Sequence, residues 1–106
     1  MSGINRIERL KNFLKSDPED AFLNYALAME YVAIQSFQLA EQQMEWVLAN
    51  HPDYIPVYYQ LGKLRADSGN LESAAMLYQT GIARCKETGD LKTASELRMA
   101  LEEIED

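Results

Sequence analysis

The chain repeats itself with a period of 34 residues. Pro18 and Pro52 stand that far apart, and at the same offset Leu10 pairs with Met44 and Tyr78, and Leu14 with Leu48 and Ile82. Tyr25 pairs with Tyr59, Leu27 with Leu61, Ala28 with Gly62, Phe37 with Leu71 and Ala40 with Ala74. Recurrence at a fixed spacing of this length marks a supersecondary unit that cannot bury its apolar face alone and must stack on its copies. The content of one period therefore sets the architecture.

Helix punctuation is frequent within each period and strand signals are absent. Ser16-Asp17-Pro18-Glu19 reads as a cap, a proline in the first turn and an acidic residue three after the serine. His51-Pro52-Asp53 ends one helix and opens the next. Ser68-Gly69-Asn70-Leu71 and Thr88-Gly89-Asp90-Leu91 each put a glycine suited to a left-handed stop before a side chain that caps the following helix. In the glycine-free turn between Ala33 and Phe37, Ser36 is expected to cap. These marks predict an all-α chain of about six helices, near 4–16, 19–34, 36–50, 53–68, 71–87 and 90–104. Short loops force neighbouring helices antiparallel, so the expected architecture is a set of stacked helical hairpins, two helices to a period.

The pattern resembles the tetratricopeptide repeat family, whose units read W-x2-L-G-x2-Y, then A-x3-F, then P. The second unit supplies Tyr58, Leu61, Gly62, Arg65, Ala74 and Tyr78, with Lys86 at the position of the closing proline. The first supplies Asn24, Leu27, Ala28, Tyr31, Ala40, Met44 and Pro52, and the departures are greatest at Asn24 and Arg65. Leu27 and Leu61 are expected in the seam between paired helices, where Ala28, Gly62, Ala40 and Ala74 are small enough to let the axes approach. Tyr31, Phe37, Met44, Leu48, Tyr78 and Ile82 are expected to fill the remaining space. The resemblance implies a short right-handed solenoid forming one domain, 1–106. Its expected parts are an N-terminal helix (1–17), a first repeat (18–52), a second repeat (53–88) and a C-terminal capping helix (89–106). The N-terminal helix carries Ile4, Ile7, Leu10, Phe13 and Leu14 on one stripe and looks like the second helix of a lost repeat. The last segment puts Leu91, Ala94, Leu97, Leu101 and Ile104 on one face, as a cap requires.

Composition narrows the function. A formal net charge of −7 repels phosphate backbones and anionic lipid surfaces, so neither nucleic acid nor membrane is an expected partner. The N-terminal residues lack an apolar signal core, Ser2 in place of glycine argues against myristoylation, and a single cysteine, Cys85, suits a reducing compartment; together they predict a cytoplasmic protein. One histidine, one cysteine and no glycine-rich phosphate loop leave no catalytic constellation, so no enzyme, metal or cofactor is expected. His51 is read as a turn residue, Cys85 as packing, and the acidic end from Glu102 to Asp106 as a solvated tail.

The helix after Pro18 is apolar on two faces. Leu27, Ala28 and Tyr31 serve the hairpin seam, whereas Phe22, Tyr25, Met29 and Val32 recur at spacings of three and four on another stripe. The resemblance maps that stripe, with Tyr59, Gln60 and Lys63 of the next unit, to a concave groove that holds a partner's peptide segment or amphipathic helix. Pro56, Ala66 and Asp67 map beside them, and Tyr25 and Tyr59 to one aromatic ladder. Tyrosine gives large contact area at small entropy loss, methionine adapts to irregular partners, and Lys63 suits a carboxylate. Relatives that grip acidic chaperone termini use a cluster of basic and amide side chains here, and Lys63 alone does not match it. The expected function is an adaptor or scaffold. Its alternatives are a structural subunit that homodimerises through the stripe or the terminal helix, and a chaperone-like holder of a secreted or assembling subunit. Burial of the stripe under the chain's own terminal helices would remove the groove.

Overall fold

The computed structural model describes residues 3–105, with side chains from Asn5 onward. Ile4 and Asp106, named above, lie outside the described side chains. Six helices follow in order: α1 Gly3–Ser16, α2 Ala21–Ala33, α3 Phe37–Asn50, α4 Pro56–Asp67, α5 Leu71–Thr88 and α6 Leu91–Ile104. Among the described residues all regular structure is helical, as the punctuation predicts. The helices gather into two compact units, Met1–Pro52 and Asp53–Asp106.

In the first unit α2 is the central element, packed against α1 on one side and α3 on the other. Its core is Ile7, Leu27, Ala28, Ala40, Met44 and Val47. Ala28 and Ala40 are fully buried, which fits their expected place where helix axes approach closely. The buried amide of Asn24 is fully engaged: Nδ2 donates to the carbonyls of Pro18 (3.1 Å) and Asp20 (2.8 Å), and Oδ1 accepts from Gln43 Nε2. Such pairing offsets the desolvation that would otherwise make a core asparagine costly. α1 is held by burial of Ile7 and by an ion pair from Arg6 Nε to Glu30 Oε1 at 2.9 Å.

In the second unit α5 is central, between α4 and α6. Val57, Tyr58, Leu61, Ala74, Tyr78, Cys85, Ala94 and Leu97 form its core. Leu97 is fully buried and contributes about 1.5–3 kcal/mol by leaving water. Two glycines make room for rings. A Cβ on Gly62 would stand 2.4 Å from Tyr78 Cε1, and one on Gly81 would stand 2.9 Å from both Tyr58 Cβ and Leu97 Cδ1.

Several sequence expectations change at this point. α1 runs through Ser16, and α2 starts at Ala21 because Asp20, whose carboxylate accepts from Leu23 N at 2.8 Å, is the cap; Pro18 lies in the turn before it. α4 likewise starts at Pro56, since a proline at the first position needs no amide partner, and not at Asp53. Ser36 occupies the cap position of α3 without a side-chain cap bond, and Gln35 supplies the left-handed residue of that turn at φ 63. Phe37 is 49% exposed and so does not fill the space expected of it, and Phe13, on the α1 stripe, is 61% exposed. Leu91, 76% exposed, stands directly after the cap, one turn short of the Ala94–Leu97 face that packs. The glycine stops do form: Gly69 and Gly89 have φ 91 and 77, and Asn70 and Asp90 cap α5 and α6. The hydroxyl and amide of Thr93 hold the Asp90 carboxyl below the ordinary carboxylate range.

Candidate functional site

At about 100° per residue, α2 presents three flanks. Asn24, Leu27 and Ala28 form the buried one. Glu30, held by Arg6 of α1, lies to one side, and Phe22, Tyr25, Met29 and Val32 lie to the other. The stripe is graded: Phe22 is 62% exposed, whereas Tyr25, Met29 and Val32 are half-buried. An exposed phenylalanine one turn from half-buried apolar neighbours is the kind of anchor that a partner covers.

The residues expected from α4 are more committed to their own unit. Tyr59 is half-buried, with its ring centroid 6.3 Å from that of Tyr78 at 47°, and it packs with Ala66 against the α5–α6 core. Burial, and then the nearby phenol of Tyr59 and the carboxylates of Asp67 and Glu103, push the Tyr78 hydroxyl above its ordinary pKa. Gln60 is half-buried. Lys63 is exposed, and its Nζ lies 3.5 Å from Asp67 Oδ2 one turn along. Such an exposed pair contributes about 0.3–0.5 kcal/mol, weak enough to be exchanged for another carboxylate. The Tyr59–Tyr78 contact escaped sequence reading, although Gly62 was its signal: the missing Cβ leaves the space that the Tyr78 ring enters.

His51 is the residue after α3; its Nε2 lies 2.7 Å from the Glu19 carbonyl and its ring 5.9 Å from Trp46. Cys85 is buried, and burial, followed by the charge of Asp90, raises its thiol pKa, which disfavours the reactive thiolate. Among the described residues no group of three or more His, Cys, Asp or Glu side chains is gathered as metal ligands would be. Nor is any described helix long and apolar enough to cross a membrane.

A tetratricopeptide repeat domain protein from Salinibacter ruber, solved in solution, superposes with a TM-score of 0.80 at 37% identity, over 84% of this chain and 90% of that one. The chain belongs to the tetratricopeptide repeat family. The TPR repeat-containing protein PA0015 of Pseudomonas aeruginosa is 24% identical over 99 residues, covering 93% of this chain and 94% of its own. PcrH, solved in complex with the chaperone binding region of PopD, shares the fold with a TM-score of 0.86 at 13% identity, over 96% of this chain and 77% of that one. No protein-family model matches the chain. Membership of the tetratricopeptide repeat family supports a protein-interaction module in general terms.

Proposed function

We propose that the chain is a non-catalytic adaptor or scaffold that binds a peptide segment or amphipathic helix of another protein. The observation that carries this reading is Phe22, 62% exposed at the start of an apolar stripe on the helix that begins the repeat. Met29 and Val32 extend the apolar area and Tyr25 adds an amphipathic ring; in the second unit, Tyr59, Gln60 and Lys63 of α4 are proposed as a binding face of their own.

Affinity capture from a native lysate by the wild type and by a Phe22→Glu, Tyr59→Glu variant tests the reading. The variant should lose the proteins that the wild type retains; identical captures would remove these faces from the function.

A chaperone-like holder is a narrower form of the same proposal. It draws support from PcrH, which shares the fold and was solved with the chaperone binding region of PopD. Homodimerisation is the separate reading, favoured by exposure of Leu91 and Met99 on α6. Light scattering separates the two: a dimer that survives Phe22→Glu and dissolves with Met99→Glu would move the function to α6.

A further inference from the structure

Charge in the first unit is sharply segregated. Between Lys15 and the end of this unit at Pro52 the sequence has no lysine or arginine, but it carries Asp17, Glu19, Asp20, Glu30, Glu41 and Glu45. The basic residues of this unit, Arg6, Arg9, Lys11 and Lys15, all belong to α1. Asp17 and Glu19 are exposed in the link that leads into α2, and Phe22 follows three residues after Glu19. The exposed apolar anchor of α2 is thus preceded by carboxylates, and no cation lies on α2 or α3 to balance them.

α1 shows what chemistry the α2 environment accepts. It is a cationic amphipathic helix that joins Ile7, Leu10 and Leu14 to its four basic side chains. It seats on α2 by burying Ile7 and by pairing Arg6 with Glu30, the one carboxylate on α2. The flank that bears Phe22 and Met29 offers apolar area, and the exposed carboxylates of Asp17 and Glu19 precede Phe22 by five and three residues in the chain.

Building on the proposed docking at the α2 stripe, we infer that the bound segment is itself cationic and amphipathic. Its aliphatic or aromatic side chains cover Phe22 and Met29, and its lysines or arginines lie near Asp17 and Glu19. Charge complementarity of this kind raises the association rate and selects among apolar partners. An acidic segment of equal hydrophobicity meets like charge and is rejected. Because these carboxylates are exposed, the selectivity fades as added salt shortens the screening length below about 8 Å.

Selection from a random peptide display library on the immobilised full chain tests the inference, with Phe22→Glu selected in parallel. The expected result is enrichment of apolar peptides rich in lysine or arginine, lost on Phe22→Glu. For one synthetic enriched peptide, an Asp17→Lys, Glu19→Lys variant should bind about three- to tenfold more weakly, measured by fluorescence anisotropy at low salt. Circular dichroism of each variant checks that the helices persist. Peptides enriched on wild type, lost on Phe22→Glu and without basic bias would overturn the inference and leave the docking surface standing. So would full retention of affinity by the double variant. Enrichment that ignores Phe22→Glu, or none at all, would overturn the docking reading itself. A concentration-dependent dimer dissolved by Phe22→Glu would put a second copy there in place of a separate partner.

Discussion

Where α2 and α3 bring Ala28 and Met44 into the first hairpin, α4 and α5 bring Gly62 and Tyr78 into the second. Where the first has Asn24 and Val47, the second has Tyr58 and Gly81. In both exchanges one helix gains a ring and the facing helix gives up side-chain volume. A repeat therefore preserves the volume shared across the helix pair more strictly than the identity of either residue, as expected for interiors packed near crystal density. The two hairpins also treat polarity differently. The first buries an amide with all its bonds made inside the unit, and the second fills that position with a ring whose hydroxyl meets Arg84.

Gly62→Ala should break this partition most severely. Its Cβ would stand 2.4 Å from Tyr78 Cε1, and the ring, 3% exposed, has little room to retreat. A loss of about 2–3 kcal/mol in urea denaturation is expected. Adding Tyr78→Met turns the second pair into the first pair's Ala–Met and should recover at least half of that loss. A single variant as stable as wild type would show that the two hairpins do not trade volume as described.

Asn24→Ala comes next, at about 1–3 kcal/mol, because it strips the Pro18 carbonyl and the Gln43 amide of a buried partner. Tyr58→Phe, at the equivalent position, should cost clearly less, since the ring stays against Gly81 and only the link to half-buried Arg84 goes. Equal losses in the same denaturation assay would mean that the amide contributes no more than packing.

Legibility in the sequence followed the same division between volume and detail. The 34-residue offset fixed the seam residues well: Leu27, Leu61, Ala28, Gly62, Ala40 and Ala74 are all buried. The glycine stops at Gly69 and Gly89 were equally plain, because a positive φ favours glycine. The amino ends of α2 and α4 were harder, since several capping residues crowd each turn and only geometry selects Asp20 over Ser16. Periodicity also placed Phe13, Phe37 and Leu91 on apolar stripes, but each stands at or near a helix end and is exposed. For the candidate surface, spacing separated the Phe22 stripe from the seam. It could not show that Tyr59 spends much of its ring on Tyr78, which depends on a three-dimensional notch.

The smallest expected effect comes from the turns within the hairpins. Gln35 and Gly69 occupy equivalent left-handed positions, with φ 63 and 91, and the next residues, Ser36 and Asn70, share nearly the same backbone at φ −87, ψ 67 and φ −89, ψ 74. Asn70 accepts from Ser73 N at 3.2 Å, whereas Ser36 makes no such bond. Transplanting the second turn into the first should therefore stabilise the chain. Gln35→Gly relieves a left-handed strain of about 1–2 kcal/mol and adds about 0.5–1 kcal/mol of unfolded-state freedom, for a net gain of up to about 1.5 kcal/mol. Ser36→Asn should add a few tenths of a kcal/mol by completing the cap. The reverse exchange, Gly69→Gln, should cost about 1 kcal/mol from backbone strain alone, since a Cβ at Gly69 meets nothing within 4 Å. Shifts in the urea midpoint at constant slope measure all three. If Gln35→Gly destabilises, its side chain is holding the turn and the equivalence of the two hairpins ends at their cores.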